Sequence, residues 1–319
     1  MSDRPLDRDA PRRAENPPQQ AAVKRRAPTD RDRRKLRVAI AFIAPALVFY
    51  AAFVLVPLGM SVYYSLQRWD GIGRLRFVGL KNYLIVLTDP DLLQIIGNAF
   101  NLILYFTLIP IALGLAVASV IRGHMSGTFG TVTRTVLFLP QVIPLVAAGI
   151  AWSWMFASTG LVNQLLTAVG LGSLARGWLG DFTFALPAVG MIGAWVLLGL
   201  CTMLLVTGIA KIDTSIYEAA ELDGAGKWQE LIYITIPALR QEIGVCVTVT
   251  VIAALASFDI VYIATAGGPG ISTMVPGLEI YRLAFAHRQV GLASALAIVL
   301  MVLVLLCILP VQWFARPKR

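Results

Sequence analysis

The densest set of ionisable side chains outside the N-terminal tail lies in residues 211–240, which read KIDTSIYEAAELDGAGKWQELIYITIPALR. Glu218, Glu221 and Asp223 crowd together there. Clustered carboxylates can do acid–base work, but a membrane-embedded enzyme would also need paired groups or a metal cluster near one membrane face. No histidine or cysteine lies in the stretch. His124 and His287 are far apart, and Cys201, Cys246 and Cys307 each sit within an apolar run. The cysteines therefore read as small buried hydrophobes rather than a disulfide or metal framework. No G-x-x-x-x-G-K-[ST] phosphate loop occurs. Gly267-Gly268-Pro269-Gly270 has no following Lys-Ser/Thr and reads as a turn. One carboxylate stands apart: Asp259 interrupts an apolar run, and a carboxylate in a membrane span is a functional candidate by default.

The elements that must hold these residues are membrane helices. The chain has 319 residues, 57% hydrophobic and 14% charged, with a mean hydropathy of +0.73. A soluble domain carries about 25% charged residues, so disorder, a disulfide scaffold and an ordinary soluble enzyme fit poorly. A crossing helix needs about 20 apolar residues. Gaps between charges place spans at about 38–60, 95–121, 135–156, 184–209, 243–266 and 290–314. The expected fold is an all-α integral membrane protein with six transmembrane helices. Leu161–Leu174 is short for a crossing and reads as interfacial. The first span, after a long hydrophilic tail, reads as a permanent helix rather than a cleaved signal. Prolines in or beside the spans, such as Pro110, Pro144 and Pro187, read as kinks.

Residues 1–37 hold 12 of the 27 Lys and Arg but only 6 of the 18 Asp and Glu, so most of the +9 charge sits in this tail. Its composition predicts a disordered, basic cytoplasmic tail, with contact to anionic membrane lipid as an alternative use. Nucleic acid is not an expected partner, because membrane proteins carry basic cytoplasmic ends in any case. By the same rule both termini are cytoplasmic, the C-terminus ending ARPKR and the 122–134 loop adding Arg122 and Arg134. Two loops depart from it. The 61–91 loop carries Arg68, Arg74, Arg76 and Lys81 yet falls outside, and the inner loop 211–241 is net acidic.

Within that inner loop, Ser215 and Glu218 have the spacing of a capping box that starts a helix. Asp223-Gly224 stops it, since glycine accepts the left-handed conformation that ends helices. An amphipathic run with Trp228, Leu231 and Ile232 follows, and Pro237 kinks the entry to span five. The physics predicts a cytoplasmic helix–turn–helix. It leaves two uses open: lying on lipid headgroups, or docking a soluble partner.

Glu218, Ala219, Ala220, Asp223, Gly224 and Ala225, followed by Ile234 and Pro237, resemble the EAA loop of permease subunits in binding-protein-dependent ABC importers. Leu231 and Ile236 stand where that family usually has Phe and Leu. FVGLKNY at 77–83, Arg134 with FLP at 138–140 and Trp152, SFDIVYIATAGGP at 257–269 and YRLAF at 281–285 resemble the carbohydrate-type permeases, in the right order. The resemblance covers nearly the whole chain after the tail. It implies a coupling helix seated in an ATPase subunit, with ATP and Mg bound by two copies of that subunit and not by this chain. It also implies a second, non-identical permease, an extracytoplasmic sugar-binding protein and a place in the bacterial plasma (inner) membrane. The substrate implied is a sugar or oligosaccharide, or a sugar phosphate such as glycerol phosphate.

A sugar path needs hydrogen bonds and aromatic faces. Span five offers Ser257, Phe258, Asp259 and Tyr262, span four Gly199 and Thr202, span two Asn98 and Asn101. Asn98, Asn101 and Thr202 read equally as bonds between packed helices, and Asp259 as half of a structural pair. In a continuous helix Asp259 and Tyr262 share a face, Phe258 borders it, and Ser257 lies about 200° away from Asp259. Asp259, Tyr262 and Phe258 are therefore the expected substrate line. An ion-coupled secondary transporter would need ionisable residues in several spans and internal repeats, and Asp259 alone qualifies.

Overall fold

The computed structural model describes residues 30–121 and 127–315. Residues 1–29, Arg122, His124 and the C-terminal RPKR, on which the tail and orientation expectations largely rest, lie outside the described residues.

Of the described residues, those from 30 to 56 belong to one compact unit and those from 57 onward to a second. The first contains helix α1 (Asp30–Tyr50) and a π turn, Ala51–Leu55. Helix α1 begins at Asp30, so Asp30–Arg37 is helical where a disordered tail was expected. Those residues are joined directly to an apolar helix that supplies the costly first turn for them.

The second unit opens with α2 (Val56–Ser65) and a two-stranded antiparallel pair, β1 (Gln67–Arg68) with β2 (Arg76–Phe77). Then come α3 (Lys81–Thr88), α4 (Pro90–Ile103), a π turn at Leu104–Leu108 and α5 (Ile109–Ile121). The second span thus starts at Pro90 rather than 95. Asp89 caps it, its carboxylate accepting from the Asp91 and Leu92 amides at 2.9 and 3.2 Å, with Pro90 at the first helical position. Helices α6 (Thr128–Val142) and α7 (Leu145–Met155) follow. They replace the straight span expected at 135–156, bending by 98°. Pro144 explains the break: it forces Ile143 out of helical geometry, to φ −71°, ψ 130°. Helix α8 (Leu161–Ala168) lies where an interfacial segment was expected.

Helix α9 (Ala185–Ile209) is the axis of the unit: 67% of its most apolar stretch is buried, against 22% or less for the other long helices. Small residues let neighbours approach it. A Cβ on Gly193 would overlap the Phe106 ring, and one on Gly199 would overlap the Leu137 carbonyl of α6. Beyond α9 lie α10 (Thr214–Leu222), α11 (Lys227–Glu230), a π turn at Leu231–Thr235, α12 (Ile236–Ala238) and α13 (Arg240–Leu255). Lys227–Ala238 and Arg240–Leu255 meet at 74°, at Leu239, two residues after Pro237. The chain ends in α14 (Asp259–Ala264), α15 (Pro276–Tyr281), a π turn at Arg282–Ala286 and α16 (Val290–Ala315). Span five, expected as one helix over 243–266, is broken at Ala256–Phe258. Among the described residues four helical runs are long and apolar enough to cross a membrane, or up to six crossings if each bent pair counts as one.

The largest core cluster joins Ile95, Leu102 and Phe106 to Ile192, Leu278 and Leu296. A second, with Cys201, Leu205, Ile209, Leu239 and Cys246, ties the end of α9 to α13. These cysteines are buried and free, as small hydrophobes.

Candidate functional site

The hairpin between α9 and α13 is built by local bonds. Its first helix is capped by Asp213, whose carboxylate accepts from the Ser215 amide at 3.0 Å. That bond also holds the Asp213 carboxyl below its ordinary range. The expected Ser215–Glu218 capping box is therefore not the start signal. Asp is at least as good a cap as Ser, and Asp213 stands two residues earlier. The helix ends at Asp223. Gly224 follows with φ +81°, the Ala225 amide donates to the Ala220 carbonyl at 2.9 Å, and the Gly224 amide donates to Glu221 at 3.1 Å. This paired closure needs a left-handed residue, which glycine supplies at no steric cost. Glu218, Ala219, Ala220, Asp223, Gly224 and Ala225 thus form one helix end and its turn.

The second arm starts where the Gly226 amide donates to Gln229 Oε1 at 2.8 Å. Tyr217 and Thr235 close the hairpin through a buried hydroxyl pair at 3.0 Å. Lys227 reaches Glu230 at 2.9 Å and Glu221 at 3.5 Å, and the Glu230 bond raises the lysine's pKa. Outward, the hairpin shows Leu222, Trp228 and Tyr233, respectively 89%, 71% and 75% exposed. Three large apolar side chains raised together from a short hairpin fit a surface made to be covered.

A second constellation surrounds α14. Phe258 and Tyr262 stack at 5.3 Å with 13° between their planes. Tyr281 stands edge-on to both at 5.7 and 6.1 Å, and Phe285 adjoins it at 5.2 Å. Asp259 opens α14 beside them and is exposed. Sequence reasoning missed Tyr281 and Phe285, although their spacing of four was visible in YRLAF. The expected angle between Ser257 and Asp259 assumed an unbroken helix. Phe258 instead takes φ −142°, ψ −60°, and no Gly or Pro marks the break. The cause is tertiary: α15 crosses so closely that a Cβ on Gly277 would lie 2.8 Å from the Ser257 carbonyl oxygen. Ser257 is buried, and its hydroxyl has no partner among the described residues.

Gly199 and Thr202 do not join this cluster. Gly199 abuts the α6 backbone; Thr202 is wholly buried, bonds Leu198 of its own helix at 2.8 Å and lies against Gly114 of α5. Both occupy helix seams. Asn98 is a clamp: its amide donates to the Ile271 and Met274 carbonyls at 3.0 and 2.9 Å. Asn101 lines a cavity of about 330 Å³ with Gln94, Asn98 and Ser272. Among the described residues no His, Cys, Asp and Glu cluster could hold a metal ion.

A long buried helix, two bent helix pairs and an apolar hairpin between spans define a multi-pass membrane protein that works with partners. Residues 109–317 match the binding-protein-dependent transport system inner membrane component family, and the chain belongs to it. It is 36% identical over 281 residues to the probable ABC transporter permease YurN of Bacillus subtilis, covering 87% of this chain and 96% of that one. It is 32% identical to the diacetylchitobiose uptake permease NgcF of Streptomyces coelicolor (82% and 77% covered) and 32% to the lactose transport permease LacF of Rhizobium radiobacter (87% and 93%). A bacterial ABC transporter involved in alginate import has the same fold in one of its chains, with TM-score 0.74 at 21% identity, covering 90% of this chain and 97% of that one. The protein is a non-catalytic permease subunit of an ABC importer in the inner membrane, and an ion-coupled transporter is not favoured.

Proposed function

We propose that this chain forms half of the translocation path for a neutral sugar or oligosaccharide. The observation that carries this is the open aromatic wall of Phe258, Tyr262 and Tyr281 with the Asp259 carboxylate beside it. Ring faces stack on the apolar side of a pyranose, and a carboxylate accepts hydroxyls in charge-assisted bonds about twice as strong as neutral ones. The relatives that carry diacetylchitobiose and lactose support the same class. A sugar phosphate such as glycerol phosphate is disfavoured, because its anion would meet Asp259.

The complex holds a second, non-identical permease, two copies of a cytoplasmic ATPase that bind ATP and Mg, and an extracytoplasmic sugar-binding protein. The alginate importer crystallised with its ligand-bound periplasmic protein supports the last of these. The hairpin at 211–240 is the coupling element, its exposed Leu222 and Trp228 entering the ATPase. Each bent pair counts as one span, giving six crossings with both termini in the cytoplasm. Reconstituting the purified complex with its binding protein and measuring ATP-driven uptake of labelled lactose and N,N′-diacetylchitobiose tests this reading. Uptake lowered about tenfold in Tyr262→Ala with basal ATP hydrolysis intact is the expected result. Uptake of glycerol phosphate but of neither sugar overturns it. Cysteines placed at Ser2 and Lys318 should resist impermeant thiol reagents in intact cells while one at the exposed Lys81 labels; labelling at Ser2 would reverse the orientation.

A further inference from the structure

Gln94, Asn98, Asn101 and Tyr105 are spaced four, three and four apart along the second span. That spacing puts them in one stripe on the helix surface. Three carboxamides and a phenol are expensive on a membrane helix unless they meet partners or water. All four border the cavity of about 330 Å³, and its far wall brings Phe182, Thr183 and Ser272. The volume is near the lower end of the roughly 300–1,000 Å³ range of ligand sites.

The chemistry of the lining is specific. The side chains of Gln94 and Asn101 are exposed and make no hydrogen bond among the described residues, and the Ser272 hydroxyl is buried without a partner there. Asn98 spends its amide hydrogens on the Ile271 and Met274 carbonyls, which fixes both the side chain and the loop bearing Ser272. No charged residue lines the cavity, so neither a phosphate nor a cation finds a counter-ion. Amide and hydroxyl groups that both donate and accept, beside the rings of Tyr105 and Phe182, match a neutral polyhydroxylated ring. The site shares no residue with the Phe258–Tyr262–Tyr281 wall, and its whole stripe precedes residue 109, where the family match begins.

The geometry points to a second carbohydrate subsite, sized for about one sugar ring, between the first half of the second span and the start of α9. It rests on the neutral-sugar reading above and adds a separate place where that sugar is held.

The test uses the whole transporter in membranes. Asn101→Cys and Thr183→Cys are each reacted with a small charged thiol reagent, with and without lactose or N,N′-diacetylchitobiose, and without binding protein. At about ten times its Kd a bound sugar leaves about a tenth of the sites open, so labelling should slow about tenfold. The slowing should persist when Tyr262→Ala is added. Full-rate labelling in saturating sugar, no labelling at either cysteine, or protection that vanishes with Tyr262→Ala would each overturn the subsite. Wild-type uptake keeps the two readings apart. Uptake without protection removes the subsite alone, and protection without uptake keeps it while removing the transport reading.

Discussion

In the hairpin between α9 and α13 the bonds that shape the chain join near neighbours. Asp213 caps Ser215, Gly224 and Ala225 close on Glu221 and Ala220, Tyr217 meets Thr235 across 18 positions, and Lys211 at the base reaches Glu242 of α13 across 31. Between α13 and α16 the decisive ties come from elsewhere. Asn98 holds the Ile271 and Met274 carbonyls across 173 and 176 positions, and α15 breaks span five by crossing Ser257. The hairpin is a self-contained knob with its apolar residues outward. The other segment is a wall whose form depends on its supports. The coupling role proposed for the hairpin requires it to keep its shape while the helices beneath it move, and local bonding allows that. A substrate wall has to follow the spans, and long-range bonding makes it do so.

The largest effect should come from Gly224. A Cβ there meets nothing within 4 Å, so inside the chain Gly224→Asp costs only the left-handed strain of roughly 1–2 kcal/mol. Uptake should nevertheless collapse at normal membrane levels if the hairpin has the coupling role proposed above, because the added carboxylate would meet the ATPase. Gly224→Ala, which carries the left-handed strain without a carboxylate, separates strain from docking: loss of uptake in Ala as well would assign the effect to backbone strain, and normal uptake in Ala to the carboxylate at the interface. Wild-type uptake in Gly224→Asp would remove the coupling role.

On the wall, Tyr262→Ala, Tyr281→Ala and Asp259→Ala should each lower uptake about tenfold, equivalent to about 1.4 kcal/mol, and leave basal ATP hydrolysis alone. Ser257→Ala should transport normally. The reverse pattern would put the substrate on the other side of α14.

Stability should then divide the two regions. Asn98→Leu leaves the Met274 carbonyl without its partner, at about 1–3 kcal/mol where water does not reach it, while the Ile271 carbonyl keeps its bond from the Met274 amide. Tyr217→Phe removes one bond worth about 1 kcal/mol. Thermal unfolding of the solubilised complex should rank them in that order; a larger shift for Tyr217→Phe would reverse the comparison. The smallest effect belongs to the tail: deleting residues 2–30 should leave uptake unchanged.

The same contrast explains what could be read in advance. The helix end at Asp223-Gly224 was legible because its signals are adjacent residues, and the limits of α9 and α16 followed from charge-free runs. Where several local signals competed the reading slipped, as when Asp213 rather than Ser215 took the cap. Pro144 was visible, but its consequence, a 98° bend, depends on what the two halves pack against. The break at Ala256–Phe258 has no local signal. Gly199 and Thr202 looked like path residues because a seam and a path both call for small or polar side chains. Tyr281 and Phe285 were quoted for their resemblance alone, since nothing in one segment says which other segment its rings will meet.

The π turn at Leu104–Leu108 makes chain length, rather than residue identity, the sensitive variable in the second span. A π turn holds one residue more than regular helix requires. Upstream of it the helix turns Gln94, Asn98 and Asn101 toward the cavity; downstream it lays Gly114 against Thr202. Deleting any one of these five residues would let an ordinary helix close and swing the two halves about 100° relative to each other. One of the two faces would then be lost, whichever residue was removed. The turns at Leu231–Thr235 and Arg282–Ala286 sit at the same kind of junction, one below the coupling knob and one inside the aromatic wall. At these three places the protein should accept many substitutions and almost no change in the count.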